Sequence, residues 1–279
     1  LVNKLVFILP AALLLNMLCS VALAWLALAN REALMLRSDR DAMMFLAAFL
    51  LSPWSLYNRV PYTEMSFNLA ALATFIAWRR EQYAAAAICG LVLTATRVTG
   101  AFLPIMLLAE LVLRERWRVL ALLRAPYARF RALAIMPLGG IAFFIFLRLH
   151  VGDPLASFRI QASWNQGLRD PIETLIGAVR SPGRSALISV AAFLVPTVLL
   201  IAGWRRSRVP FPLAMTGILI GGSAVLSGLI SMPRHTLAFF PVYLMVPMLP
   251  RAMQWVLLAI FAAIQWVFTY HWMLGTTAL

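Results

Sequence analysis

Apolar residues gather into ten runs along the chain, at roughly 5 to 29, 42 to 57, 63 to 78, 83 to 96, 101 to 113, 132 to 149, 185 to 203, 210 to 230, 236 to 250 and 252 to 272, with short polar or charged stretches between them. Runs of this kind recurring from one end to the other are the pattern of a polytopic helical membrane protein. A hydrocarbon core about 30 Å thick asks for about 20 helical residues, so the short runs 83 to 96 and 101 to 113 are expected to be tilted, broken or re-entrant against their neighbours. The expected fold is all-α, with about eight to ten transmembrane helices. No repeat, low-complexity tract or linker interrupts the pattern, so residues 1 to 279 read as a single transmembrane domain.

The longest polar interval, 150 to 184, has structure of its own. Asp153-Pro154 and Asp170-Pro171-Ile172-Glu173 each set a capping carboxylate before a proline suited to the first helical position, and the second adds a glutamate as in a capping box. Two short helices are predicted. Leu155, Phe158 and Ala162 share one face of the first, and Ile172, Leu175, Ile176 and Val179 one face of the second, which suits helices lying flat at a membrane surface.

Composition sharpens the class: 63% of residues are apolar and 12% charged, which excludes an ordinary soluble core. The net charge of +14 raises the question of nucleic acid, but the arginines sit in short loops between apolar runs instead of forming one stripe. Membrane topology accounts for them, and no nucleic-acid partner is expected. Alternate crossings put 15 of the 24 Lys and Arg residues on the side holding Arg31 to Arg40, Arg79, Arg80, Arg114 to Arg131, Arg205 to Arg208 and Arg251. That side is expected to be cytoplasmic, with the chain in a bacterial inner membrane. The same bias favours splitting 83 to 113 at Arg97 to Gly100, because a single span would send the arginine-rich loop outward. Glu64, Arg97, Arg234 and the loop 150 to 184 then share the outer face. Cys19 and Cys89 both sit inside apolar runs, so neither a disulfide nor a Cys-ligated metal is expected.

An ionisable side chain at the edge of an apolar segment costs about 2.5 to 3.5 kcal/mol on insertion scales, so Glu64 needs a partner, a cavity or a substrate. Arg97 and Arg234, at outer helix ends, are the best candidates for binding phosphate, since a guanidinium stays charged and matches two oxygens at once. Asn68, four residues after Glu64, falls on the same helical face. Glu64 and Asp153 are the candidate catalytic carboxylates. The bland readings are an interfacial ion pair of Glu64 with Arg59 or Arg97, a topological anchor for Arg234 and a helix cap for Asp153. His150 and Asp153 offer two metal ligands at a helix boundary, a weak signal for a divalent metal; no cofactor is otherwise expected.

Several of these residues fall in segments that resemble the PIG-V mannosyltransferase family. Leu51-Ser52-Pro53, Pro61-Tyr62-Thr63-Glu64-Met65-Ser66-Phe67 and Thr94-Ala95-Thr96-Arg97-Val98-Thr99-Gly100 are similar to it in order, as are Gly152-Asp153-Pro154-Leu155-Ala156 with Gln161 and Trp164, and Pro233-Arg234-His235 followed by Phe239-Phe240-Pro241-Val242-Tyr243. The match runs from about residue 42 to the C-terminus. It implies a GT-C glycosyltransferase that moves a sugar, mannose by analogy, from a polyprenyl- or dolichyl-phosphate donor to a lipid or protein acceptor on the extracytoplasmic side. Glu64 and Asp153 are then the catalytic candidates in this chain, with the main base expected in a missing N-terminal portion, and Arg97, Arg234, His235, Asn68, Gln161 and Trp164 are expected on the substrate or its phosphate.

Two departures accompany the resemblance. Family members carry an acidic residue in a first outer loop, near a Trp-Asp pair, and this chain has no such loop. The family's tyrosine after the late arginine is replaced by His235. The chain opens Leu1-Val2-Asn3-Lys4 without an initiator methionine, a charged n-region or a cleavage motif, so a signal peptide is not expected and a missing N-terminal portion is. Other readings are a transporter or flippase with Glu64 and Arg97 along its path, or a non-catalytic relative that binds a lipid-linked sugar. Membrane lipids are partners in every case.

Overall fold

The computed structural model describes residues 2 to 114, 127 to 163, 169 to 180, 184 to 229 and 232 to 275, and their regular structure is entirely helical, without a strand. Helix α1 spans Val2–Ala29, and a 3-10 turn at Arg31–Leu34 leads to α2, Asp39–Leu51. Ser38 caps α2 by accepting from the Asp41 amide at 3.1 Å. Pro53 ends α2, because the residue before a proline is pushed out of the α region, and Ser52 is extended at φ −58°, ψ 146°. The run 42 to 57 is therefore not one helix: a 3-10 turn at Pro53–Ser55 and a single turn, α3 (Leu56–Arg59), follow the break.

Helices α4 (Glu64–Arg79) and α5 (Tyr83–Thr96) form a tightly packed hairpin. Arg97 is extended, Val98–Ala101 makes a 3-10 turn, and α6 runs over Phe102–Arg114. The expected split at Arg97 to Gly100 is thus present. Gly100 lets the turn close: a Cβ on it would stand 2.5 Å from the Leu93 carbonyl oxygen. The Arg79–Glu110 pair at 3.4 Å ties the end of α4 to the end of α6, so α6 returns to the level from which α5 departed.

Then come α7 (Tyr127–Ile135), α8 (Leu138–Val151), α9 (Ala156–Ser163) and α10 (Pro171–Arg180). The last two are the short helices predicted in the polar interval. Asp153 accepts from the Leu155 amide at 3.0 Å, and Asp170 from the amides of Ile172 and Glu173 at 2.7 and 2.9 Å. On α10, Leu175 packs into a small core with Ala192, Val225 and Met232, while Ile172, Ile176 and Val179 stay exposed.

Helices α11 (Arg184–Arg205) and α12 (Phe211–Leu226) pack together, α13 is the short Met232–Thr236, and α14 spans Arg251–Met273. The apolar run 236 to 250, counted as a possible crossing, is corrected by the structure. It is a 3-10 segment, Phe240–Met248, holding Pro241 and Pro247, which supply no amide donors. Nine residues at about 2.0 Å each span about 18 Å, short of a bilayer core. Its side chains are apolar because they are central: Phe240, Tyr243 and Leu244 are buried, with Phe240 edge-on to Phe45 of α2.

The described residues contain four helices long and apolar enough to cross a membrane, Leu9–Ala29, Tyr127–Val151, Ala186–Arg205 and Arg251–Met273. Leu14, Met17 and Val21 on α1, Ile145 and Leu149 on α8, and Val256 and Trp266 on α14 are exposed, an outward apolar surface suited to lipid. The structure thus gives an all-helical chain of membrane character.

Candidate anion site at the head of α4

The first turn of α4 carries Glu64, whose side chain is 2% exposed. Two guanidinium groups reach the same oxygen of it. Arg97, at the end of α5, brings Nη1 to 2.9 Å from Oε1, and Arg234 of α13 donates its Nε to that atom. The other oxygen, Oε2, is buried with no hydrogen-bond partner among the described residues. One carboxylate and two guanidiniums leave this buried group with an excess of one positive charge.

Aromatic rings hold the cations in place. Arg234 lies 4.2 Å from the centre of the Tyr62 ring and 5.7 Å from that of Tyr57, and Arg97 lies 5.7 Å from that of Phe67. The loop bearing Tyr62 is pinned from α1, where Asn16 donates to the carbonyls of Val60 and Tyr62 at 2.5 and 3.3 Å. These tyrosines and Asn16 were missed as site residues. The signal for the rings was present in the aromatic spacing of 57 to 67, but Asn16 is 46 residues from Tyr62 and carries none.

Asn68 knits three elements together. It donates to the Glu64 carbonyl at 2.9 Å and the Ala238 carbonyl at 2.8 Å, and accepts from the Phe240 amide at 3.2 Å. Its expected place on the Glu64 face is observed, and its work is to dock the segment after α13 against α4. Asn68→Leu should orphan the Ala238 carbonyl and the Phe240 amide and cost about 2 kcal/mol. Denaturant unfolding in detergent checks this; a loss below about 0.5 kcal/mol would mean that these groups find other partners.

His235 is largely buried beside the two arginines, and Arg97 Nη2 stands 3.0 Å from its Nδ1. An arginine can only donate, so Nδ1 is unprotonated. Burial, then the charges of Arg97 and Arg234, push this imidazole from 6.5 down to about 3. The folded value lies below the unfolded one, so the unfolded chain takes up the proton first. Stability should therefore be complete above pH 6.5 and decline as the pH falls from there toward 3. His235→Gln should flatten that decline in thermal unfolding followed against pH; an unchanged slope would show that His235 is not held neutral.

Glu64, Phe67, Asn68, Arg97, Thr99, Arg234 and His235, together with Ile220, Ala238 and Phe239, line a cavity of about 10 Å³. That is room for about one water. A phosphate has to meet the guanidiniums from outside, where Arg97 and Arg234 keep 17% and 24% of their side chains exposed.

The remaining candidates lie elsewhere. Asp153 and Gln161 do not line this cavity: Asp153 caps α9 and pairs with Arg159 at 3.0 Å, and Gln161 is exposed on α9. The helix-cap reading of Asp153 describes what it does here. Trp164 lies outside the described residues. Arg59, a possible partner of Glu64, donates instead to the Leu50 carbonyl at 2.8 Å. His150 faces the Phe146 carbonyl at 3.1 Å, and no cluster of three or more His, Cys, Asp or Glu suited to a metal occurs among the described residues.

No family model, curated protein or solved structure matches the chain.

Proposed function

We propose that the chain is a membrane glycosyltransferase of GT-C type, and that the group at the head of α4 holds the phosphate of a polyprenyl-phosphate-linked sugar, mannose by resemblance, for transfer to a lipid or protein acceptor. The observation that carries the phosphate reading is the pair of guanidiniums on one Glu64 oxygen, with a surplus positive charge and partial exposure on their outer faces. Burial makes such a surplus costly unless an anion meets it. The sugar-transfer reading rests on the resemblance of the segments that contain Pro53, Glu64, Arg97, Asp153 and Arg234. The outward apolar surfaces of α1, α8 and α14 suit a chain that meets its donor in the bilayer.

In this reading the arginines stabilise the negative charge that develops on the leaving phosphate as the sugar departs, and they do so from preset positions. Glu64 is a positioning residue that fixes both guanidiniums; the acceptor oxygen bonds to the sugar as the bond from sugar to phosphate breaks, and the acceptor's proton ends on the departing phosphate or in water. The arginine bias supports an extracytoplasmic site, opposite Arg31, Arg79 and Arg114.

Membranes containing the full-length protein should transfer labelled mannose from polyprenyl-phosphate-mannose to extractable lipid or protein. Arg97→Gln and Arg234→Gln should each slow this about thirtyfold, the loss of one charged hydrogen bond to a developing anion. Transfer no faster than in membranes lacking the protein would refute the enzyme reading, and full activity in both variants would refute the site.

A further inference from the structure

A second polar cavity, of about 320 Å³, opens where α1 and α4 end. It is lined by Ala29 to Ala33 and by Arg79 and Arg80, about 22 Å along α4 from Glu64, and it owes nothing to the reading of that site. Its volume falls at the lower end of the roughly 300 to 1,000 Å³ of small-molecule sites.

The charges around it are only partly matched. Arg31 is paired with Asp39 at 3.1 Å and Arg79 with Glu110 at 3.4 Å. Glu32 and Arg80 differ: among the described residues neither side chain has a hydrogen bond or an ion pair. A carboxylate and a guanidinium thus line one cavity without neutralising each other. A simple anion would be drawn to Arg79 and Arg80 but repelled by Glu32, and a simple cation would meet the reverse. A ligand bearing both signs satisfies both.

The cavity also lies at a defined depth. Trp25 is 66% exposed on α1, one turn or about 6 Å before Ala29, and an outward tryptophan near the end of a membrane-length helix belongs at the level of lipid headgroups. The geometry points to a phosphoethanolamine-binding site, with the phosphate on Arg80 and Arg79 and the primary ammonium on Glu32. A membrane lipid or the free ester could present this group. A phosphocholine headgroup fits less well, because its quaternary nitrogen has no N–H to donate to the carboxylate, and a phosphoglycerol headgroup leaves Glu32 without a cation.

The test is native mass spectrometry of the full-length protein titrated in detergent with dioleoyl-phosphatidylethanolamine, -phosphatidylglycerol or -phosphatidylcholine. The ethanolamine lipid should bind about tenfold more tightly than the other two. Arg80→Gln should weaken it about tenfold, and Glu32→Gln should abolish its advantage over phosphatidylglycerol. Both side chains are exposed, and circular dichroism confirms that the variants fold. Competition separates the sources: displacement of the lipid by O-phosphoethanolamine assigns the site to the free ester, and failure to displace assigns it to the lipid. Equal binding of the ethanolamine and glycerol lipids by the unaltered protein, or a preference that survives Glu32→Gln, overturns the assignment.

Discussion

Glu64→Gln is expected to destabilise the protein by about 3 to 5 kcal/mol, the cost of removing one partner from a buried ionic group. The substitution keeps the size of the side chain and removes the charge that two guanidiniums share, so the local charge rises from one surplus positive to two. Neither arginine can leave easily, because Tyr62 and Phe67 lie against them and His235 holds Arg97 at 3.0 Å. Adding Arg97→Gln restores the original surplus, so the double variant should be more stable than Glu64→Gln alone. The double-mutant cycle reads this coupling directly. A lipid phosphate that binds the folded state should also recover part of the loss and raise the melting temperature of Glu64→Gln. If Glu64→Gln melts like the unaltered protein, the arginines have another counter-ion and the described geometry is not what holds them.

Gly139→Ala should cost about 3 kcal/mol or more through packing alone. A Cβ there would sit 1.8 Å from the Leu91 carbonyl oxygen and 2.6 Å from Thr94 Oγ1. Both belong to α5, and a backbone carbonyl cannot turn aside, so α8 would have to lift away. Thr94 also donates to the Met136 carbonyl at 2.5 Å and accepts from the Gly140 amide at 3.2 Å, and those bonds would go with it. Thr94 lies one turn before Arg97, so if the proposed function holds, the strain at this contact should also lower sugar transfer. The neighbouring Gly140→Ala is the control: its Cβ would lie 3.6 Å from the Thr94 carbonyl oxygen, an ordinary contact, and should change stability by less than about 1 kcal/mol. Equal effects at the two glycines would show that the α5–α8 contact is not close-packed as described.

What could be read from sequence depended on how local the determining physics was. The caps at Asp153 and Asp170, the break at Arg97 and the shared face of Glu64 and Asn68 all rest on neighbours within a few residues, and each was legible. The apolar run 236 to 250 misled because burial inside a bundle and burial in lipid demand the same side chains; only the prolines Pro241 and Pro247 spoke for an irregular segment. Arg97 and Arg234 were legible as candidates singly, since a charge at an apolar edge calls for a partner. That both would settle on one oxygen of Glu64 depends on α13 folding back against α4, a contact 170 residues long that no local pattern encodes. Gly139 was invisible for the same reason: nothing in its neighbourhood announces a carbonyl of another helix 1.8 Å from its missing Cβ.

The surplus charge at the head of α4 is tested most directly by comparing polyprenyl phosphate with the corresponding polyprenol. Both carry the same tail, so a difference in affinity for the full-length protein in nanodiscs reports the phosphate alone. Polyprenyl phosphate is predicted to bind about a hundredfold more tightly, with most of that advantage lost in Arg97→Gln and in Arg234→Gln. Equal affinities for the two lipids, or an advantage that both variants retain, would contradict a phosphate site built on Glu64, Arg97 and Arg234.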